Sequence, residues 1–351
     1  MLKKRVLIVS NPYFPFVSGV PISSKCMALG LSVRGYAVTL LTEVLQSKSE
    51  ENSSDEENWQ PPPFQIIRSQ SLLLAFHTVR QSNVTIMNGG CSRKIAMLSL
   101  ASRTKLIAWH QMSNKIECVS LLDRLIYSLA LWRVNKHVGV SKQALLARNP
   151  KRGTVIPNPG RSDVTKYNGV QLSYREREID FLYVGRLDAI KGVDTLLKAL
   201  NLLDAQGSRL NLLFVGDGPL LGLVQSSCQS FRSIASECSG NVDGLSLANA
   251  YRSAKYIVLP TSSRHREGHP LVLAEAFAFG TPAIVADSPE LCEAIEGSGF
   301  HFKTDDHASL AEALVRGVNH EKWEEMSSSA KSQFLNNFRE STFLDQVEAL
   351  L

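Results

Sequence analysis

The chain alternates between short apolar runs and longer segments with apolar positions at helical spacing. Val6 to Ser10 (VLIVS) is apolar throughout, which predicts a strand covered on both faces. Ile22 to Arg34 follows with helical periodicity, and Gly35 supplies its stop. Ala37 to Thr42, Phe64 to Arg68, Val84 to Met87, Lys105 to Trp109, His137 to Val140 and Thr154 to Ile156 are further strand candidates, with a helix expected from Leu121 to Val134. The alternation restarts with Phe181 to Val184, a helix from Val193 to Leu203, and strands at Leu210 to Val215, Tyr256 to Leu259 and Ala283 to Ala286. Strands that alternate with helices build βαβ units and parallel sheets. The fold class is therefore α/β, with two halves built on parallel sheets.

Two segments break the rhythm. Residues 46–63 combine acids and prolines and read as a surface loop. Pro157-Asn158-Pro159-Gly160 is the strongest punctuation in mid-chain, and the polar stretch Arg161 to Ile179 after it reads as a linker. The expected division is 1–165 for a first domain and 166–335 for a second. A helical tail, 336–351, would pack back on the first.

Composition narrows the function classes. The 351 residues are 44% hydrophobic and 20% charged, the balance of a folded chain. The longest apolar runs fall short of a membrane span. Met1 to Arg5 is basic, but Val6 to Val9 is too short for a signal-peptide core. The cysteines Cys26, Cys91, Cys118, Cys228, Cys238 and Cys292 form no CxxC pair, so neither a disulfide framework nor a zinc site is expected. These features predict a cytoplasmic protein with reduced thiols. The net charge of +5 hides a division: residues 1–165 hold 21 Lys+Arg and 9 Asp+Glu (+12), and the remainder 17 and 24 (−7). The basic half suits an anionic membrane surface better than nucleic acid.

Ligands of open α/β sheets bind at the carboxyl ends of the strands, which ranks the candidates. The first strand runs into Asn11-Pro12-Tyr13-Phe14-Pro15-Phe16-Val17-Ser18-Gly19, where Gly19 alone cannot make a dinucleotide fingerprint. Val184-Gly185-Arg186-Leu187, with Lys191-Gly192, places two cations between a strand and a helix, suited to a diphosphate or simply solvated. Gly216-Asp217-Gly218-Pro219 permits close backbone approach, and a tight turn explains it equally well. In EGHPLVLAEAFAFGTP, Glu267 and then Gly268 and His269 precede a helix whose first position suits Pro270, followed by Leu271, and whose end suits Gly280 and Pro282. Glu275 lies eight residues after Glu267, about two turns away on the same face. Carboxylates accept from vicinal diols, so this pair suits a sugar and a ribose; a capping Glu267 and a buried, satisfied Glu275 is the plainer alternative. His110 ends a first-half strand, where it could orient a substrate or play a structural part.

Together these segments resemble the retaining glycosyltransferases of family 4, of the "glycosyl transferases group 1" type. The resemblance covers nearly the whole chain and is strongest from Asp180 to Gly299. It implies the GT-B fold, two Rossmann-like domains facing across a cleft. It also implies a nucleotide-diphosphate sugar donor, a glycan or lipid-linked acceptor, and no metal or other cofactor. Arg186 and Lys191 would hold the diphosphate and stabilise it as it leaves. Glu275 would accept from the ribose. Glu267 and the amides near Gly268, His269 and Leu271 would hold the sugar. His110 would sit beside the reacting sugar, and Gly19, Gly185, Gly216, Asp217 and Gly218 would line the approach. The chain departs from the family at Ser18, where a second glycine is usual, and at Pro270, which has no N–H to donate. Asp287-Ser288-Pro289-Glu290 replaces a glycine-rich loop, with Glu293 matching the usual acid, and donor selectivity is expected there. A non-catalytic sugar-nucleotide binder or a sugar-nucleotide epimerase on a similar fold remain alternatives.

Overall fold

The computed structural model describes residues 4–11, 19–42, 62–69, 71–89, 104–111, 121–147, 153–319 and 321–351. Ser18 and the expected loop as far as residue 61 lie outside them. By contact the chain divides into two units, Met1–Asn158 with Glu340–Leu351, and Pro159–Arg339.

Among the described residues, the first unit is a parallel sheet of seven strands. They are β1 (Arg5–Asn11), β2 (Ala37–Thr42), β3 (Gln65–Arg68), β4 (Val84–Gly89), β5 (Lys105–His110), β6 (Lys136–Gly139) and β7 (Gly153–Val155), in the order β3-β2-β1-β4-β5-β6-β7. Its helices are α1 (Gly19–Val33), α2 (Leu72–Gln81), α3 (Leu121–Arg133) and α4 (Lys142–Leu146). β1 pairs on both sides, Val6 with Val38 and with Val84, which is why its sequence is apolar without alternation. Successive side chains nevertheless serve different faces. Val6 and Ile8 join one core with Met27, Trp109 and Phe343. Leu7 and Val9 join another with Val79, Leu106 and Ala108.

The last helix, α13 (Glu340–Leu350), belongs to this first unit and packs on α1. Phe343, Leu344, Val347 and Leu350 enter the α1 core, and Phe343 meets Trp109 edge-on at 5.6 Å. Arg34 donates to Asp345 and to Glu348, both at 2.6 Å. Gly30 makes room for this contact, since a Cβ there would lie 2.3 Å from a Leu344 methyl.

The second unit is a six-stranded parallel sheet of β8 (Ile179–Val184), β9 (Leu210–Val215), β10 (Ile234–Cys238), β11 (Ala254–Leu259), β12 (Ala283–Ala286) and β13 (Gly299–Phe302). The order is β10-β9-β8-β11-β12-β13, so the topology reverses between β8 and β11. The helices are α5 (Ser162–Thr165), α6 (Val193–Ala205), α7 (Leu221–Ser230), α8 (Gly244–Ser253), α9 (Leu271–Ala278), α10 (Pro289–Ala294), α11 (His307–Val318) and α12 (Trp323–Gln333). The edge strands β10 and β13 are additions to the sequence reading. Their half-exposed sequences, IASEC and GFHF, lack the apolar run of a central strand.

Residues 161–179, expected as a linker, are built into the second unit, which begins at Pro159. Gly160 N–H donates to Phe338 O. Arg177 is only 2% exposed, and its guanidinium donates to the carbonyls of Ala254, Phe279 and Gly280 and to the Thr281 hydroxyl. It also lies 4.7 Å over the Trp323 ring. Burial brings Arg177 down to about 10, against the opposing pull of Glu324, so it stays charged at neutral pH.

Phe343→Ala should destabilise the first unit by about 3–5 kcal/mol, the range for emptying a buried aromatic site. Denaturant unfolding monitored by tryptophan fluorescence and circular dichroism measures it. A loss below about 1 kcal/mol would mean that α13 is peripheral to the core.

Candidate functional site

The second unit places its charged candidates at the topological reversal. β8 runs through Gly185-Arg186-Leu187 into a short 3-10 turn, Ala189–Lys191, and then α6. Asp188 caps the turn by accepting from Ile190 N–H. β11 runs through Pro260 into the loop 261–270 and then α9. These connections are stitched together: Ser262 N–H donates to Ile190 O at 3.2 Å, and Arg264 Nη2 to Ala189 O at 3.2 Å. At Gly192 (φ 74°) a Cβ would lie 1.7 Å from Pro260 O, so only glycine allows the approach. At Gly216 a Cβ would lie 1.9 Å from Gly185 O. Both glycines thus answer to neighbouring backbone.

The stitching delivers Lys191 to Glu267. Lys191 Nζ donates to Glu267 Oε1 at 2.5 Å, Thr261 Oγ1 donates to the same oxygen at 3.4 Å, and His265 Nε2 stands 3.7 Å away. The Glu267 side chain is 13% exposed. Burial pushes its carboxyl up, but His265 and Lys191 outweigh burial and bring it down to about 2. Glu267 is therefore ionised at any physiological pH. Arg186 stands apart, 64% exposed, with Nε 3.2 Å from Asp188 Oδ2.

His269, two residues on, is buried against Phe338 with ring centroids 4.8 Å apart. Neither ring nitrogen has a hydrogen-bond partner in the structure. Burial lowers its pKa to about 4, so the ring is neutral. Pro270 is the N-cap of α9 rather than its first helical residue, and it gives no side-chain cap; Leu271 is the first helical residue. Gly280 (φ 63°) ends the helix.

Glu275 is 1% exposed in the middle of α9. Its Oε1 accepts from Arg161 Nε at 2.7 Å and its Oε2 from Tyr251 Oη at 2.8 Å. The two glutamates thus take separate partners, and Glu275 carries the marks of a satisfied buried carboxylate. Arg161 and Tyr251 had no sequence signal, because each is distant in sequence from Glu275 and brought close by α5 and α8. Asp217 accepts from Gly218 N–H at 2.6 Å, its carbonyl accepts from Leu187 N–H, and Gly216 N–H donates to Gly240 O. Gly268 lies half-buried in the 261–270 loop. In the departing loop, Glu290 is buried and meets Arg266 Nη1 at 3.3 Å through Oε1, while its Oε2 has no partner. The sequence reading named Glu290 in this segment and matched Glu293 to the usual acid; the ion pair of Glu290 with Arg266 was not legible.

In the first unit, His110 is not a lone histidine. Its Nε2 lies 3.0 Å from His137 Nδ1, and the rings stack at 5.3 Å. Cross-strand register explains the pair: Ala108 is opposite His137, and His110 is two residues on along the same face. Burial lowers the His137 pKa. The carboxyl ends of this sheet also carry a buried polar network that the sequence reading missed. Asn88 Nδ2 donates to Ser23 and Ser24, and Ser24 to Ser10. Gln111 Nε2 donates to Asn88 Oδ1 at 2.7 Å, and Asn158 Nδ2 to Gln111 Oε1 at 2.7 Å. Gly19 opens α1 beside it, with room for a Cβ 3.6 Å from Asn158 Nδ2. The available signal was a polar residue closing an apolar run, as in VLIVS and VTIMN.

His269 and Glu267 both weaken the fold in acid, in different windows. The folded pKa of His269 lies below its ordinary 6.5, so its stabilisation is complete above about pH 6.5 and is lost as pH falls toward 4. Glu267 is depressed from 4.5, so its contribution is lost from about pH 4.5 toward 2. His269→Phe should remove most of the loss between pH 6.5 and 4, up to about 3 kcal/mol. Urea melts across that range decide it; an unchanged pH slope would mean His269 finds a partner in solution.

Comparison with known proteins gives this arrangement its context. Residues 169–333 match the family described as "Glycosyl transferases group 1". A glycogen synthase of Mycobacterium tuberculosis is 30% identical over 177 residues, 47% of this chain and 42% of that protein. One from Halorhodospira halophila is 29% identical over 148 residues, 39% of this chain and 30% of its own. The matched stretch thus spans less than half the length of these curated relatives. Among solved structures, a glycosyltransferase from Rickettsia africae superposes with TM-score 0.74 at 16% identity. A sucrose-phosphate synthase from Thermosynechococcus elongatus gives 0.69 at 19%, and Anabaena HepE in complex with UDP and glucose gives 0.68 at 16%. Each alignment covers 99% of this chain and 98% of the other. The chain has the GT-B fold, and its residues 169–333 are similar to the glycosyl transferases group 1 family.

Proposed function

We propose that the chain is a retaining, metal-independent hexosyltransferase of family 4, which moves a sugar from a nucleotide-diphosphate donor to a glycan or lipid-linked hydroxyl. The observation that carries this reading is the Lys191–Glu267 pair at the β8/β11 reversal, where α/β sheets bind nucleotides. The likeness to HepE, which was solved with UDP and glucose, supports a nucleotide-sugar donor.

In this reading the diphosphate docks beside α6 and α9. Arg186, exposed and weakly held by Asp188, is free to turn onto it. Lys191 is already fixed by Glu267 and shares its remaining protons with the phosphate. Negative charge grows on the diphosphate as the glycosidic bond breaks, and these two cations oppose it, the task a metal performs elsewhere. Glu267 is ionised, so it accepts from sugar hydroxyls and stabilises positive charge developing on the sugar; it is not a proton donor at neutral pH. Glu275 is 1% exposed and held by Arg161 and Tyr251, so its role as ribose acceptor requires Arg161 to turn off Oε1 when the donor docks. The basic first half suits an acceptor presented at an anionic membrane. In this reading the reaction runs at the cytoplasmic face, in cell-surface polysaccharide or glycolipid synthesis.

A thermal-shift panel of UDP-, GDP- and ADP-sugars should show stabilisation by one base series, since a ligand of the native state raises apparent stability. With that donor, Lys191→Ala should lower turnover by about 10²-fold or more. NMR of the product should show the donor's anomeric configuration kept. Stabilisation by a donor without transfer or hydrolysis would identify a binding protein instead.

A further inference from the structure

A histidine inside a sheet must give up water, and β6 carries one at its second position, His137. It is half-buried, and the ring it meets, His110 at the end of β5, is 6% exposed. Register brings the two together. Ala108 is opposite His137 and His110 is opposite Gly139, all four on one face of the sheet. Gly139 has no side chain and Ala108 only a methyl, so the His110 ring leans across to His137, and the ring planes lie 14° from parallel. A Cβ at Gly139 would meet Ser141 O at 2.8 Å and Leu145 Cβ at 2.9 Å. The close approach of α4 thus demands glycine at the position that gives His110 its room.

The rings are joined by a hydrogen bond of 3.0 Å between His110 Nε2 and His137 Nδ1, so one proton lies between these nitrogens. The other bond of His137 decides which ring supplies it. The Leu131 carbonyl, in the last turn of α3, also bonds the His137 ring, and a carbonyl can only accept. With Nδ1 turned to His110, that bond leaves from Nε2. Burial, the larger influence, lowers the His137 pKa, so at neutral pH the ring is uncharged and has one N–H. That N–H serves Leu131, and Nδ1 keeps a lone pair. His110 Nε2 is therefore the donor. A neutral His110 spends its own N–H on His137, and its Nδ1 is an acceptor. The reverse assignment would set a His137 lone pair against the Leu131 carbonyl oxygen.

We propose that His137 is a positioning residue for sugar transfer: by accepting from His110 Nε2–H it holds His110 in the tautomer whose Nδ1 lone pair receives a substrate hydroxyl. His110 then meets the sugar as an uncharged acceptor of a hydrogen bond. His137 touches no substrate in this scheme and acts only through His110, by fixing its ring plane and its proton. The assignment of protons rests on the two rings and Leu131 alone. The substrate hydroxyl rests on the sugar-transfer reading, with His110 beside the reacting sugar.

The test begins with two-bond nitrogen–proton NMR of the full chain labelled with ¹⁵N-histidine, recorded about two pH units above the ordinary histidine value. His110→Gln and His137→Asn spectra assign the signals. Both rings should carry their proton on Nε2; a proton on Nδ1 of either would overturn the proposal. His137→Phe keeps a ring for stacking but has no acceptor. It should lower turnover by about tenfold or more and remove the fixed tautomer of His110, while donor-induced thermal shifts stay as in the parent. His137→Asn sets an amide oxygen near the place of Nδ1 and should recover most of the loss. Turnover unchanged in His137→Phe, or equal loss in the Phe and Asn variants, would reduce His137 to packing and overturn its positioning role. Absence of transfer with every donor would sink the enzymatic reading and the hydroxyl with it, while the measured tautomers would still uphold or overturn the proton assignment.

Discussion

A carboxylate held mostly away from water needs a cation beside it, and Glu267 has Lys191. Desolvation of the pair is costly, and loss of one partner would leave an uncompensated charge. The pair therefore constrains much around it. The turn after β8 must reach the loop after β11, and Gly192 against Pro260 O makes that reach possible. Ser263 is tied in turn to Asp305 beyond β13, with Oγ donating at 2.5 Å. A charge pair, one side-chain-free backbone contact and one anchored loop set where α9 starts.

The far end of α9 is fixed by other means. Arg177 gathers carbonyls from the ends of α8 and α9, opposing their negative poles with a buried positive charge. Between the two ends, Glu275 is gripped by Arg161 and Tyr251. Burial and then the Glu275 charge raise the Tyr251 pKa, so this hydroxyl keeps its proton and remains a donor. Each group acts on a different turn of one short helix. Its freedom to shift is small, as preorganised electrostatics require.

The sequence made the scaffold legible wherever burial on both faces forced a continuous apolar run, as in VLIVS, LNLLFV and AKYIVL. The edge strands β10 and β13 escaped because water on one side removes that requirement. Glu267, Lys191 and Glu275 were visible as charged residues at fixed spacing around a helix start. What they touch was not. His110 meets His137 only through strand register, and Arg161 reaches Glu275 across 114 residues of sequence. The network of Ser10, Ser23, Ser24, Asn88, Gln111 and Asn158 consists of common uncharged residues. Their significance lies in convergence at one end of the sheet, which no local pattern encodes. Glycine was read correctly as a sign of close approach, but the approaching atoms at Gly192 and Gly216 are the protein's own carbonyls.

Parallel strands give the first unit two chemically different ends. All its carboxyl ends point one way, and there Asn88, Gln111 and Asn158 spend their amides on one another in a neutral, buried network. All the amino ends point the other way, where Lys4, Lys105 and Lys136 gather and Lys4 Nζ donates to Leu351 O at 3.0 Å. An antiparallel sheet would have interleaved the two populations and divided the lysines between both margins. The +12 of residues 1–165 is thus more than a bulk property of a basic domain. Strand direction concentrates part of it at one margin, away from the end of the sheet where α/β proteins do their chemistry.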